Sequence, residues 1–247
     1  MNLKSFKTIS IVAIIYLILF EFIFPTNKLF PSVTVIWLSI FELFVQYNFA
    51  TSLLSTLAAV YLTFFIHYIF IITSFPFLVK YQPENCLITL KNNFFKFFFY
   101  IPFLLLALLI ILWLPDFIFN KYLVSFFVIL SICLNDLNLT NDKSLSDYFN
   151  FYNTLGIKKS TIVSKIIFNL KEPELFNSYL KNHTLIWAVI LLVEFLQQKD
   201  GIGSILRIVF KYHDIALTFT IALITSSIIF LLHFGFRKLY NRIYFWN

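Results

Sequence analysis

The chain has 247 residues, of which 60% are hydrophobic and 13% charged, with 34 phenylalanines and a mean hydropathy of +0.85. A soluble domain carries about 25% charged residues, so a water-facing globular surface is excluded. Continuous apolar runs also exclude a β-barrel, whose strands alternate apolar and polar residues, and leave helices as the spanning elements.

Lys4 and Lys7 precede an apolar run from Ile9 to Phe24. The run has the charge pattern of a signal peptide but no small-residue cleavage site, so it is expected to stay as a first transmembrane helix. Pro31 to Tyr47 is apolar but short, with Val35, Leu38, Phe41 and Val45 on one helix face and Glu42 and Gln46 interrupting it. It reads as an interfacial helix on the outer surface. Thr51 to Phe75 is long enough to cross, since about 20 residues are needed. A semi-polar connector, Lys80 to Lys96, leads to a third span, Phe97 to Leu114, with Pro102 near its start, where a missing N–H costs least. After the Pro115-Asp116 turn, a fourth span is expected from Tyr122 to Leu137, a fifth from Leu175 to Gln197 behind Pro173 as a first helical residue, and a sixth from Asp214 to Phe236.

This six-span arrangement puts 14 of the 19 basic residues on the inner side, which places both termini in the cytoplasm. The net charge of +7 is accounted for by membrane orientation and requires no nucleic acid. Cys86 and Cys133 lack metal-ligand or redox spacing, and His67, His183, His213 and His233 form no paired motif. No catalytic centre, metal or cofactor is therefore expected.

The longest hydrophilic stretch starts at Ser144. Ser144 and Asp147 suit an approximate capping box. Leu145, Tyr148, Phe149, Tyr152 and Leu155 line one face of the helix that follows, and Gly156 stands where a left-handed C-cap would. A second short helix from Ser160 would carry Ile162, Ile166 and Leu170 on one side. The pair reads either as a surface cap on the bundle or as a docking element whose aromatic face enters a groove on a soluble partner. An anchoring scaffold using residues 144–170 is the alternative to transport, and an intramembrane enzyme would need a His, Asp or Ser constellation that the spacing does not supply.

From Asn150 the chain resembles the EAA loop of binding-protein-dependent ABC transporter permeases: E-A-A, three residues, G, nine residues, I-x-L-P. Asn150-Phe151-Tyr152, Gly156 and Ile166 through Asn169 occupy those positions, with the glycine and the isoleucine matching. Downstream, Trp187, Glu194 and Gly201-Ile202-Gly203 reproduce the family's W, six residues, E, six residues, G-[IL]-G. Leu29 to Ser32 with Trp37, and Ile101-Pro102 with Trp113, are similar to entry motifs of the nitrate/sulfonate/taurine-type branch. The chain departs from the family in holding only four glycines, none in the second span, and in replacing the loop glutamate with Asn150.

The resemblance implies an all-α integral membrane protein with the MetI-like fold of type I ABC importers. That means six spans, one permease domain over residues 1–247 and a cytoplasmic coupling loop at about 144–172. It implies a multi-pass protein of the bacterial inner membrane, with no enzymatic chemistry of its own, that moves a small solute such as nitrate, a sulfonate or a vitamin precursor. The partners implied are ATP-binding subunits, a second permease copy, an extracytoplasmic binding protein and membrane lipid. Tyr148, Asn150, Phe151, Tyr152, Leu155, Gly156 and Ile166 would couple to the ATPase. Trp187, Glu194, Gly201 and Gly203 would belong to the translocation pathway or outer gate.

Overall fold

The computed structural model describes residues 11–12, 14–24, 30–80, 88–89, 101–115, 117, 119–136, 143–158 and 161–245. Among the described residues the regular structure is helical apart from one two-residue antiparallel ladder, β1 (Val79–Lys80) with β2 (Ile88–Thr89). The helices are α1 (Ile14–Ile23), α2 (Val33–Gln46), α3 (Phe49–Leu78), α4 (Phe103–Trp113), α5 (Asn120–Asp136), α6 (Lys143–Thr154), α7 (Phe168–Gln197), α8 (Ile202–Lys211) and α9 (Ile215–Ile243).

Among the described residues, three helical stretches are long and apolar enough to cross a membrane: Phe49–Phe75, Lys165–Gln197 and Ile215–Ile243. They carry the expected second, fifth and sixth spans. The other apolar helices are shorter; the 11 residues of α4 cover only about 16 Å of a hydrocarbon core about 30 Å thick. Part of the first and third expected spans, residues 9–10, 13 and 97–100, lies outside the described residues, as does Leu137 at the end of the fourth. Pro102 is the N-cap of α4, as its missing N–H favours.

The chain divides into two compact units. The first comprises Met1–Thr56 and Glu194–Phe230. Here α1 is tied to the start of α2: the Tyr16 hydroxyl donates to the Pro31 carbonyl at 2.7 Å, and Glu21 accepts from the Thr34 amide and hydroxyl at 3.2 and 2.9 Å. A carboxylate there suits the positive end of the α2 dipole. The face of α2 that buries is Ser39 with Leu43, whereas Val35, Leu38, Phe41 and Val45 stay exposed. That exposed apolar stripe suits a hydrocarbon boundary and is unsuited to water. At the end of α8, His213 takes a left-handed conformation (φ 55°), its amide reaches the Phe210 carbonyl, and the Asp214 amide reaches Val209. Asp214 then caps α9 by accepting from the Leu217 amide at 2.9 Å.

The second unit comprises Leu57–Val193 and Leu231–Asn247. Its core is built from β-branched and aromatic side chains, among them Val60, Ile71, Phe75, Val124, Ile129, Ile186, Trp187 and Ile190. Hydroxyls tie the helices together. Thr63 meets Ser125 at 3.1 Å between α3 and α5, and Ser178 donates to Asp136 at 2.6 Å between α7 and α5. In an apolar surround such pairs hold helices that have no water-driven reason to associate.

Two expectations about the approach to α7 are corrected. The second short helix is no separate element: a π-helical turn, Ile162–Ile167, runs directly into α7. Pro173 is inside that helix, not at its first position. Ile162, Ile166 and Leu170, expected on one side of that helix, have unequal surroundings: Ile162 is buried, Ile166 half-buried and Leu170 exposed. The cause is the wider turn. Ile162 and Val163 bury together with Ile167 and Phe168, five residues on, and burial then returns to a spacing of three or four through Lys171, Leu175, Tyr179, Ile186 and Trp187. The helix also opens earlier than Ser144 suggested, at Lys143, which puts Ser144 in the first turn. The capping contact of its side chain lies outside the described residues.

Candidate coupling helix and Glu194 clamp

α6 ends in a two-bond helix stop. Gly156 has φ +73°, its amide reaches the Asn153 carbonyl at 3.0 Å, and the Ile157 amide reaches Tyr152 at 3.3 Å. This is the crossed pair of a Schellman motif, and the left-handed residue at its centre is easiest for glycine. Upstream, Tyr148, Phe151 and Leu155 follow one another at i, i+3 and i+7 and are 46%, 58% and 60% exposed. The Tyr152 ring is half-buried and meets Phe151 edge-on at 5.3 Å, and Asn150 is exposed. The side chains of Leu145 and Phe149 lie outside the described residues. α6 packs against the π turn that carries Ile166, so the six α6-side candidates and Ile166 belong to two adjoining elements.

The second group converges on a carboxylate. Glu194 is 1% exposed near the end of α7, and its Oε2 accepts from the Thr56 hydroxyl at 2.8 Å and from the Gly203 amide at 3.2 Å. The Thr56 oxygen in turn accepts from the Ile202 amide at 3.0 Å. These amides are the first two of α8, whose N-cap is Gly201, a residue with no side chain to cap with. Glu194 and Thr56 therefore do from other helices what an N-cap side chain does locally, and the carboxylate sits at the positive end of α8. Gly201 has φ +132°, and a Cβ built there would fall 2.0 Å from Glu194 Cδ and 2.2 Å from each carboxylate oxygen. Glycine is required at this position both by conformation and by space.

Arg207 on α8 binds the same C-terminal end of α7. Its Nη1 donates to the carbonyls of Phe195 and Leu196 at 3.1 and 2.8 Å, which places a cation on the open C-terminal carbonyls. Trp187, grouped by sequence with Glu194, has a different local role. It is fully buried, and its indole Nε1–H donates to His183 Nε2 at 3.3 Å. The Tyr61 hydroxyl lies 3.2 Å from the same nitrogen, and Tyr179 meets His67 Nδ1 at 2.7 Å.

Thr56, Arg207, His183 and Tyr61 were not among the residues singled out by sequence. Two of them carried a readable signal. His183 stands four residues before Trp187, the spacing that stacks side chains on one helix face, and Thr56 is a polar residue early in an apolar span.

Residues 89–244 match the family model described as "Binding-protein-dependent transport system inner membrane component". No curated protein matches the chain.

Proposed function

The chain belongs to the family of binding-protein-dependent transport inner membrane components, and from that membership we propose that it is the six-span permease subunit of an ATP-driven importer. The family is one of multi-pass inner-membrane permeases of ABC importers, which work with ATP-binding subunits and substrate-binding proteins and are not themselves enzymes. In the finer reading, residues 1–247 act as one permease domain with both termini cytoplasmic, and two copies enclose the pathway. The solute is of the kind handled by the nitrate/sulfonate/taurine-type branch.

The observation that carries this reading is α6. It is an amphipathic helix with Tyr148, Phe151 and Leu155 exposed, stopped by Gly156 and joined through the π turn to a long apolar helix. A helix with apolar side chains outside and a rigid stop behind suits insertion in a groove of a soluble partner. ATP-driven closure of that partner would pull on α6 and hence on α7. At the other end of α7, the Glu194 clamp makes α8 follow the helix, which suits an outer gate formed by Glu194, Gly201 and Gly203, with Trp187 fixing the helix face between.

The test is co-purification with the cognate ATP-binding subunit and measurement of ATP hydrolysis by the complex. Tyr152→Arg with Gly156→Arg is expected to abolish assembly or the response of hydrolysis to binding protein. Full retention of both in a folded variant would overturn the assignment.

A further inference from the structure

The connector between α7 and α9 carries a recess of about 360 Å³, lined by Gln198, Ser204, Arg207, Ile208, Lys211 and Tyr212. That volume is within the range of small-molecule sites. Ser204, Arg207, Ile208 and Lys211 follow one another at i, i+3, i+4 and i+7, so they form one stripe along α8. Ile202, Ile205 and Val209 bury the opposite face. The wall therefore holds two cations one turn apart and no Asp or Glu.

Neither cation is neutralised by its neighbours. Arg207 is pinned, but by neutral groups. Its Nη1 reaches two α7 carbonyls, and the Gln198 amide oxygen, turned toward the guanidinium, accepts from Nη2 at 2.5 Å and from Nε at 3.0 Å. The fork is thus oriented without losing its charge. Lys211 is exposed and, among the described residues, has no carboxylate partner. Nor is it needed to cap α8, because the carbonyls of Ile208, Val209 and Phe210 accept from the amides of Tyr212, Asp214 and His213. Two acids of this region are committed elsewhere, Glu194 in the clamp and Asp214 at the start of α9.

Chain order supplies the source of an anion. α8 stands between two stretches long and apolar enough to cross a membrane, one ending at Gln197 and the next starting at Ile215. Its ten residues cover only about 15 Å, and Ile208, Phe210 and Tyr212 on it and just after it are 44%, 62% and 71% exposed. A short helix that mixes exposed cations and aromatic rings at the end of a span suits the depth of the lipid headgroups. We propose that the recess binds the phosphodiester of an anionic phospholipid between Arg207 and Lys211, with Ile208 and Tyr212 against the glycerol and the upper acyl chains. A headgroup that brings its own cation is disfavoured, because no acid in the wall receives it. The site needs insertion in a membrane and no partner subunit, so it does not turn on the importer assignment.

Lipid competition tests it. The full chain in nonionic detergent is mixed with equal amounts of phosphatidylglycerol and phosphatidylcholine of identical acyl chains, and retained lipid is counted by native mass spectrometry. Phosphatidylglycerol is expected to be retained with a preference on the order of tenfold. Lys211→Gln should weaken retention of one phosphatidylglycerol about fivefold, the effect of one cation beside an anionic headgroup, with the far-UV circular dichroism unchanged. Lys199→Gln removes a cation of the same connector that is outside the recess and should leave the preference intact. Glycerol phosphate, which has the headgroup chemistry without acyl chains, should not displace the lipid. No preference in the folded chain, equal losses from the two lysine variants, or displacement by glycerol phosphate, which would make the ligand a free anion, would each overturn the proposal.

Discussion

Adding a single methyl group at Gly201 tests the clamp most sharply. In Gly201→Ala the new Cβ would overlap the Glu194 carboxyl carbon and both of its oxygens, at 2.0–2.2 Å. The carboxylate must leave, and the alanine must still adopt φ +132°. The backbone strain costs about 1–3 kcal/mol. Expelling the carboxylate strands the Gly203 amide and leaves the Thr56 hydroxyl only the Ser52 carbonyl, for about another 1–3 kcal/mol. Glu194→Ala alone removes the same two bonds, at the same cost of about 1–3 kcal/mol. The double variant has room for the methyl and loses those bonds only once, so it should be no less stable than Gly201→Ala alone. The cycle therefore predicts a coupling of about 1–3 kcal/mol between two residues seven apart in the chain. Equilibrium unfolding in mixed micelles, followed by far-UV circular dichroism, measures all four corners. Additivity of the two single changes to within about 0.5 kcal/mol would refute the argument.

Thr56→Val should cost about 2 kcal/mol, because it unpairs the Ile202 amide and one carboxylate lone pair, while Thr56→Ser should recover most of that in the same unfolding assay. At Gly156 nothing lies within 4 Å of a built Cβ, so Gly156→Ala should cost only the left-handed backbone strain, about 1 kcal/mol, and speed hydrogen exchange at the Ile157 amide. Phe151→Ala and Tyr148→Ala remove exposed rings and should change stability by less than about 0.5 kcal/mol while lowering ATP hydrolysis coupled to binding protein. A large loss of stability in either would show that these rings are structural.

The parts of the fold that were legible follow from simple periodicities. Long apolar runs gave α3, α7 and α9, and Gly156 marked the end of α6 because few other residues suit φ +73°. The spacing from Trp187 to Gly203 singled out Glu194 and both glycines, and those three residues do meet. Trp187 instead bonds to His183. What was hidden depends on register. A π turn widens the repeat from Ile162 to Ile167, so a 3.6-residue reading groups Ile162, Ile166 and Leu170 on one side and mistakes one continuous helix for two. Pro173 looked like a helix start because its backbone disfavours a helix interior, but the buried residues on both sides carry the helix through it. Thr56 lies 138 residues from Glu194, a pairing no local pattern encodes.

The central claim is that α6 enters a groove of an ATP-binding subunit, and a photo-crosslinking amino acid at position 151 tests it directly. Phe151 is 58% exposed, so the replacement leaves the fold intact and points the probe outward. Irradiation of membranes containing the assembled transporter is expected to give a crosslinked product with the mass of the chain plus one ATP-binding subunit, and the same probe at exposed Trp113 on α4 should not. Crosslinking of position 151 to lipid alone, with the complex demonstrably assembled, would contradict the account.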